Sequence, residues 1–269
     1  MIELFDKDRF VMDRQSSKGN QLKFRKDGYW YKADYLGYEG LVEYTVSKLL
    51  RYSNLKENEY VEYELDQIKY NDSVFNACKS KDFSEDYNLI TLERLFKDIY
   101  GTGLNKIIYS IENIDDRLKI LVEQIERVTG LKDFGIYMNK VLTIDALFLN
   151  EDRHTHNLAV LTNDKGDFKL SPIFDNGAGL MSDLTIEYPL TIEVLNKINV
   201  VKSKTICDSF YEQLEASEKL YGNNLFFNYK YNQIKDIVDK ADNYSSEIKQ
   251  RVIDLLLETK RRYSYLFKK

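Results

Sequence analysis

Hydrophobic and polar positions change their period about a third of the way along the chain. In "LKFRKDGYWYKAD" two short extended runs surround Lys26-Asp27-Gly28, which predicts a hairpin. The next stretch, "GYEGLVEYTVSKLLRYSNL", sets Leu41, Val42, Val46, Leu49 and Leu50 on one face of a helix. "EYVEYEL" and "SVFNACK" are expected as strands. From about residue 88 the pattern turns helical, in "NLITLERLFKDIY", "IDDRLKILVEQIERVTG" and "DFGIYMNKVLTIDALFLN". A second hairpin is expected over "NLAVLTNDKGDFKLSPIFD", with Asn163, Asp164 and Gly166 as turn residues between two apolar strands. Beyond about residue 190 the pattern is mostly helical, and no internal repeat interrupts it.

This order predicts an α+β fold in two lobes. Residues 1–85 form a small β-rich lobe with one helix, and residues 86–269 a larger, mostly α-helical lobe interrupted by the second hairpin. Polar residues gather at both ends of that hairpin, so the site is expected between the lobes.

Composition narrows the setting. The 269 residues are 43% hydrophobic and 31% charged, enough for a sizeable core under a mixed-sign surface. A net charge of −5 makes no demand for a direct nucleic-acid partner. Cys78 and Cys207 are too few for a disulfide framework or a cysteine-based zinc site. "MIELFDKDRF" lacks the basic start and apolar core of a signal peptide, and no run approaches the ~20 apolar residues of a membrane span. The expectation is a cytoplasmic protein with no membrane partner.

The candidate chemistry lies in "LNEDRHTHNLAV", which holds both histidines of the chain. Three readings compete. On a strand, His154 and His156 would share a face and could ligate a metal, but a closed zinc site needs two further strong ligands. An ordinary loop would use Asp152 and Asn157 to cap backbone groups. The third reading takes in the whole hairpin. Asp152 and Asn157 are five apart, as in the Asp-x-x-x-x-Asn loop of protein kinases, and Asp175 in "PIFDNGAG" follows an apolar strand and precedes a glycine. Phosphoryl transfer needs a carboxylate at the attacking hydroxyl and hard oxygens for the Mg²⁺ on ATP. In that reading Asp152 is the catalytic base, Asn157 and Asp175 are the metal ligands, and His154 structures the loop. The string Asp-Phe-Gly at 133–135 precedes Asp152 and sits at a helix start, with Asp133 as a natural N-cap, so it is not the metal site.

The upstream half is weaker in pattern but correctly ordered. Lys32 ends the strand "YWYK" before a helix carrying Glu39 and Glu43, a strand-lysine and helix-glutamate arrangement suited to clamping nucleotide phosphates. The two glutamates are one helical step apart, and either could pair with Lys32. Upstream of them, "RQSSKGNQLKF" offers Ser16, Ser17, Gly19 and backbone amides before a strand.

These residues together resemble the HipA-like serine/threonine kinases, a bacterial toxin–antitoxin family. "SSKGNQLKF" is similar to the family's Ser-x-x-Gly-x-Gln-x-Lys loop, and "DRHTHN" to its Asp-x-His-x-x-Asn, with Lys32 and "PIFDNGAG" completing the set. The resemblance implies a bilobal protein-kinase-like fold and an ATP- and Mg²⁺-dependent kinase acting on a protein substrate. It implies that Ser17 and Gly19 join Lys32 at ATP, and that Ser16, or adjacent Ser17, is autophosphorylated. The chain begins about 15 residues before the loop and so resembles a short family form, in which a separate small antitoxin or N-subdomain-like partner supplies the missing part. Asp-Arg-His-x-x-Asn also occurs in phosphatidylinositol-kinase-like enzymes. A lipid or small-molecule kinase and a non-catalytic pseudokinase module are therefore the alternatives.

Overall fold

The structure is a computed structural model and describes residues 1–10, 21–84 and 86–268. In chain order the strands are β1 (Ile2–Glu3), β2 (Arg9–Phe10), β3 (Lys23–Lys26), β4 (Tyr29–Ala33), β5 (Glu64–Tyr70), β6 (Ser73–Lys81), β7 (Asn88–Thr91), β8 (Ala159–Thr162) and β9 (Phe168–Leu170). The helices are α1 (Glu39–Leu50), α2 (Leu92–Tyr100), α3 (Leu104–Ile108), α4 (Ile114–Thr129), α5 (Phe134–Phe148), α6 (Phe210–Tyr221), α7 (Tyr231–Asp239) and α8 (Ser246–Arg262). The expected α+β class holds.

Two compact units emerge. The first comprises Met1–Asp82, Asn176–Val200 and Phe227–Lys269; the second comprises Phe83–Asp175 and Val201–Phe226. The sequence suggests a single cut near residue 85. However, residues 176–200 and 227–269 group with the β-rich part. For residues 227–269 the reason is that α7 packs on α1 and α8 packs on α7; the short helical turn Val194–Val200 in turn packs on α8.

The first unit holds a six-stranded sheet in the order β1-β5-β6-β4-β3-β2. The hairpin expected around Lys26-Asp27-Gly28 is the β3–β4 turn, with Asp27 and Gly28 at φ 50° and 78°. One sheet face buries Leu4, Phe24, Tyr31, Ala33, Ile68, Tyr70 and Ala77. Side chains alternate along a strand, so Lys32, between Tyr31 and Ala33, faces the other way, toward α1. All five apolar positions predicted for α1 are fully buried. Glu43, Thr45 and Ser47 are buried as well, because α1 lies between the sheet and α7. Its first turn comes very close to β6: a Cβ on Gly40 would lie 3.0 Å from the Ala77 carbonyl carbon.

Two expected elements are shifted. The strand predicted at "EYVEYEL" begins only at Glu64 and continues to Tyr70. The Tyr63 amide donates to Ser47 Oγ at 3.1 Å, so the residues before Glu64 lie against α1 instead of entering the ladder. The determining signal is Asn71-Asp72, both in the left-handed region at φ 47° and 61°, which closes β5 and β6 as a two-residue primed turn. Likewise, the first four residues of "NLITLERLFKDIY" form β7, and Thr91 caps α2 by accepting the Arg94 amide.

In the second unit, β7 pairs antiparallel with β8, so the predicted hairpin is the rest of a three-stranded sheet, β7-β8-β9. Its turn is as expected: Asn163 Oδ1 accepts the amides of Lys165 and Asp167, and Gly166 has φ 82°. Beside it, α5 is buried along nearly its whole length, packed on α4 and α6. Asp133 occupies the N-cap position of α5 but makes no side-chain cap bond; the Phe134 amide donates to Glu126 instead. Among the described residues no helix is long and apolar enough to cross a membrane.

The primed turn yields a test of the corrected β5–β6 register. Glycine adopts the left-handed conformation without the Cβ penalty that Asp72 carries. Asp72→Gly is expected to raise stability by about 0.5 kcal/mol, seen as a higher urea midpoint at unchanged slope. A lowered midpoint would argue against this turn.

Candidate active site

The loop 150–157 is built on one buried ion pair. Helix α5 is apolar except for a few positions, and Asp145 near its end is completely buried. Arg153, 1% exposed, meets it there: its Nε lies 3.1 and 3.2 Å from the two carboxylate oxygens, and Nη2 lies 3.1 Å from Oδ1. Burial disfavours the Arg153 charge, but the adjacent Asp145 carboxylate more than offsets this and raises its pKa. The remaining terminal nitrogen, Nη1, donates to the carbonyls of Phe174 and Asn157. Asn150 reinforces the arrangement, donating from Nδ2 to Asp145 Oδ1 at 3.1 Å and to the Asp175 carbonyl at 3.2 Å. Leu149, which ends α5, is held at φ 54°, an uncommon conformation for a bulky residue.

These contacts bring together the backbone around three of the predicted residues. Asn157 Nδ2 donates to the Asp152 carbonyl at 2.9 Å, which turns Oδ1 of the same amide to the opposite side. Asp175 has φ 64°, and its carboxylate acts electrostatically on both Arg153 and His154. Asp152 is buried, 8% exposed, and its Oδ1 lies 3.2 Å from Lys204 Nζ. His154 Nδ1 is buried without a hydrogen-bond partner, and the His154 backbone carbonyl accepts the Asn157 amide at 2.8 Å. Burial lowers its pKa, against the opposing field of Asp152. The His154 and His156 rings meet edge to face with centroids 5.4 Å apart. No cluster of three or more His, Cys, Asp or Glu side chains suited to a metal occurs among the described residues.

In the first unit, the choice between two glutamates is resolved. Lys32 Nζ lies 2.5 Å from Glu43 Oε1, with the two side chains 11% and 1% exposed. Glu43 Oε2 accepts the amide of Asn176, the residue after Asp175 in the chain, at 2.9 Å. Glu39 is turned elsewhere, and its carboxylate accepts the amides of Tyr35, Leu36 and Gly37 in the turn before α1. The Lys32 ammonium also sits 5.2 Å from the centre of the Tyr63 ring. Asp34 ties the start of α1 down, accepting from the Gly40 amide at 2.6 Å and from Tyr244 Oη at 2.8 Å. After Asn176, Leu180 and Met181 have φ 48° and 52°, and Tyr38 Oη bonds both of their carbonyls. Ser16, Ser17 and Gly19 lie outside the described residues.

Sequence reasoning missed Arg153, Asp145, Asn150 and Lys204 as parts of the loop. A signal for the first two was present: Asp145 is the only acid in α5 and lies eight residues before an arginine. Lys204 is 52 residues beyond Asp152 in an irregular segment, and no periodicity marks it.

No family model matches the chain, and no curated protein matches it. Among solved structures it is similar to the crystal structure of a Helicobacter pylori proinflammatory kinase, CtkA, with a TM-score of 0.62 and 18% sequence identity. That match covers 97% of this chain and 95% of the other. The likeness is one of fold: the chain adopts a protein-kinase-like α+β architecture.

The buried Asp34 makes stability depend on pH. Burial and the nearby Glu39 carboxylate push its pKa from 3.8 up to about 8, against the Gly40 and Tyr244 hydrogen bonds. Between these values the folded chain keeps a proton that the unfolded chain has released, so Asp34's contribution to stability falls as pH rises from about 4 to 8. Asp34→Asn is expected to flatten the decline in melting temperature across that window. An unchanged pH profile in the variant would refute the assignment.

Proposed function

We propose that the chain is an ATP- and Mg²⁺-dependent phosphotransferase that phosphorylates a serine or threonine hydroxyl on a protein. The observation that carries this reading is the Lys32–Glu43 pair. A buried strand lysine is held by a helix glutamate that also accepts the amide next to Asp175. An ammonium fixed at one point is suited to nucleotide phosphates. The kinase-like fold and the neighbouring structure's description as a kinase support the same chemistry.

In this reading Asp152 orients the acceptor hydroxyl and takes its proton. Asn157 and Asp175 would hold the metal. One amide oxygen and one carboxylate form a hard-oxygen donor set that fits Mg²⁺, and Asn157 Oδ1 is turned away from the loop backbone by the Nδ2 bond. When bound, Mg²⁺ neutralises charge on the nucleotide phosphates. Lys32, held by Glu43, would contact the phosphates, and Glu39 would shape the entry to α1 without touching the nucleotide. The toxin–antitoxin setting, a small partner protein and the Ser/Gly loop's contact with ATP are carried forward from the sequence resemblance.

The purified chain with γ-labelled ATP and Mg²⁺ is expected to label itself or proteins in a bacterial lysate more strongly than phosphoinositide vesicles. Asp152→Ala should lower the rate about 100-fold or more, and Glu43→Gln about 10- to 100-fold. Folded wild-type protein that transfers no phosphoryl group to any of these acceptors would overturn the reading; preferential labelling of vesicles would redirect it to a lipid kinase. Separately, mass spectrometry of active enzyme incubated with ATP is expected to find phosphate on Ser16. Its absence, with the enzyme active, would remove the autophosphorylation proposal.

A further inference from the structure

Residues 201–207 form an irregular segment of the second unit with an unusually constrained backbone. Tyr109 Oη donates to the carbonyls of Lys204 and Thr205 at 2.7 and 2.8 Å. Thr205 Oγ1 donates to the Arg153 carbonyl at 2.8 Å, pinning the segment to the loop that carries Asp152. Ser203 Oγ donates to Gln213 Oε1 at 3.0 Å. Ser203 and Thr205 are therefore buried, and Lys204 between them projects its side chain to Asp152 Oδ1 at 3.2 Å, with 45% of that side chain still open to solvent.

This construction is not explained by stability. An ion pair whose lysine is half exposed contributes little. An ammonium beside a catalytic base would also weaken that base if it served the base alone. An ammonium has three donors, and one lies on Asp152. Of the loop's own cations, Arg153 is buried on Asp145 and two carbonyls and is not placed to meet substrate.

We propose that Lys204 is a catalytic residue that binds a non-bridging oxygen of the phosphoryl group in transit. The proposal rests on the kinase reading above. In the step, the acceptor hydroxyl oxygen forms a bond to the γ-phosphorus of ATP. The bond from that phosphorus to the β–γ bridging oxygen breaks, and its electron pair leaves on ADP. The hydroxyl proton passes to the Asp152 carboxylate. The acceptor oxygen must come within about 3 Å of that carboxylate, which brings the γ-phosphoryl group into reach of a lysine already bonded to it. Lys204 then offsets negative charge on the phosphoryl oxygens, while its tie to Asp152 aligns base and phosphate.

The test compares wild type with Lys204→Met and Lys204→Arg. ADP release from MgATP is measured with water and the chain's own hydroxyls as acceptors, and MgADP affinity by calorimetry. Lys204→Met is expected to lower kcat about 100-fold, with MgADP affinity changed less than about threefold, since ADP lacks the transferred group. Lys204→Arg, which keeps the charge, should recover kcat to within about tenfold of wild type. Melting temperatures should match, because Lys204 is half exposed. A kcat within about threefold of wild type in Lys204→Met, or an equal loss in Lys204→Arg, would overturn the role of Lys204 and leave the kinase reading intact. Folded wild type that releases no ADP would overturn both.

Discussion

The buried pair between Asp145 and Arg153 is the constraint on which the second unit's candidate chemistry depends. Taking two charges out of water is costly, and their attraction offsets that cost only when geometry is good and the remaining donors and acceptors are satisfied. Here both carboxylate oxygens are engaged, and the guanidinium uses its last nitrogen on the carbonyls of Phe174 and Asn157. A single planar group thereby fixes the backbone at Asn157 and beside Asp175, and its own chain neighbour is Asp152. Apolar residues of similar volume could fill the space, but they would supply no directional bonds. The pair's contribution is position, and position is what phosphoryl transfer needs most.

The first unit reaches the same end by other means. Helix α1 is covered on several sides, so Glu43 is buried and needs partners; Lys32 and the Asn176 amide provide them. Glu39, one turn earlier, is engaged by the three amides that lead into the helix, and Asp34 holds the first turn at Gly40. Leu180 and Met181, non-glycine residues in the left-handed region, depend on this scaffold. Tyr38 bonds the carbonyls of both, which maintains a conformation that a free chain would rarely adopt.

Much of the candidate site is legible in residue types and order. Asp152, Asn157 and Asp175 stood out because the five-residue spacing and the following hairpin have a chemical reason. The choice between Glu39 and Glu43 could not be read, because both lie on one face and only the approach of β4 distinguishes them. The histidines are conspicuous as the only two in the chain, and the bonds they make could not be read. His154 leaves a ring nitrogen unpartnered while Arg153 holds the loop. Lys204 was invisible, since a lysine in an irregular stretch carries no pattern until folding brings it to Asp152.

The sequence by itself determined the α+β class, the β3–β4 and β8–β9 hairpins, the core face of α1, and which residue types could serve phosphoryl transfer. Those features follow from local rules: turn residues, side-chain period and the spacing of donor groups. The tertiary structure alone decided that β5 starts at Glu64, that β7 joins the second sheet, that the C-terminal helices pack with the β-rich unit, and that Glu43 and Lys204 are the partners of Lys32 and Asp152. Each of these is a pairing between residues far apart in the chain or ambiguous within it. Burial and hydrogen-bond geometry decide such pairings, and neither exists until the chain has folded.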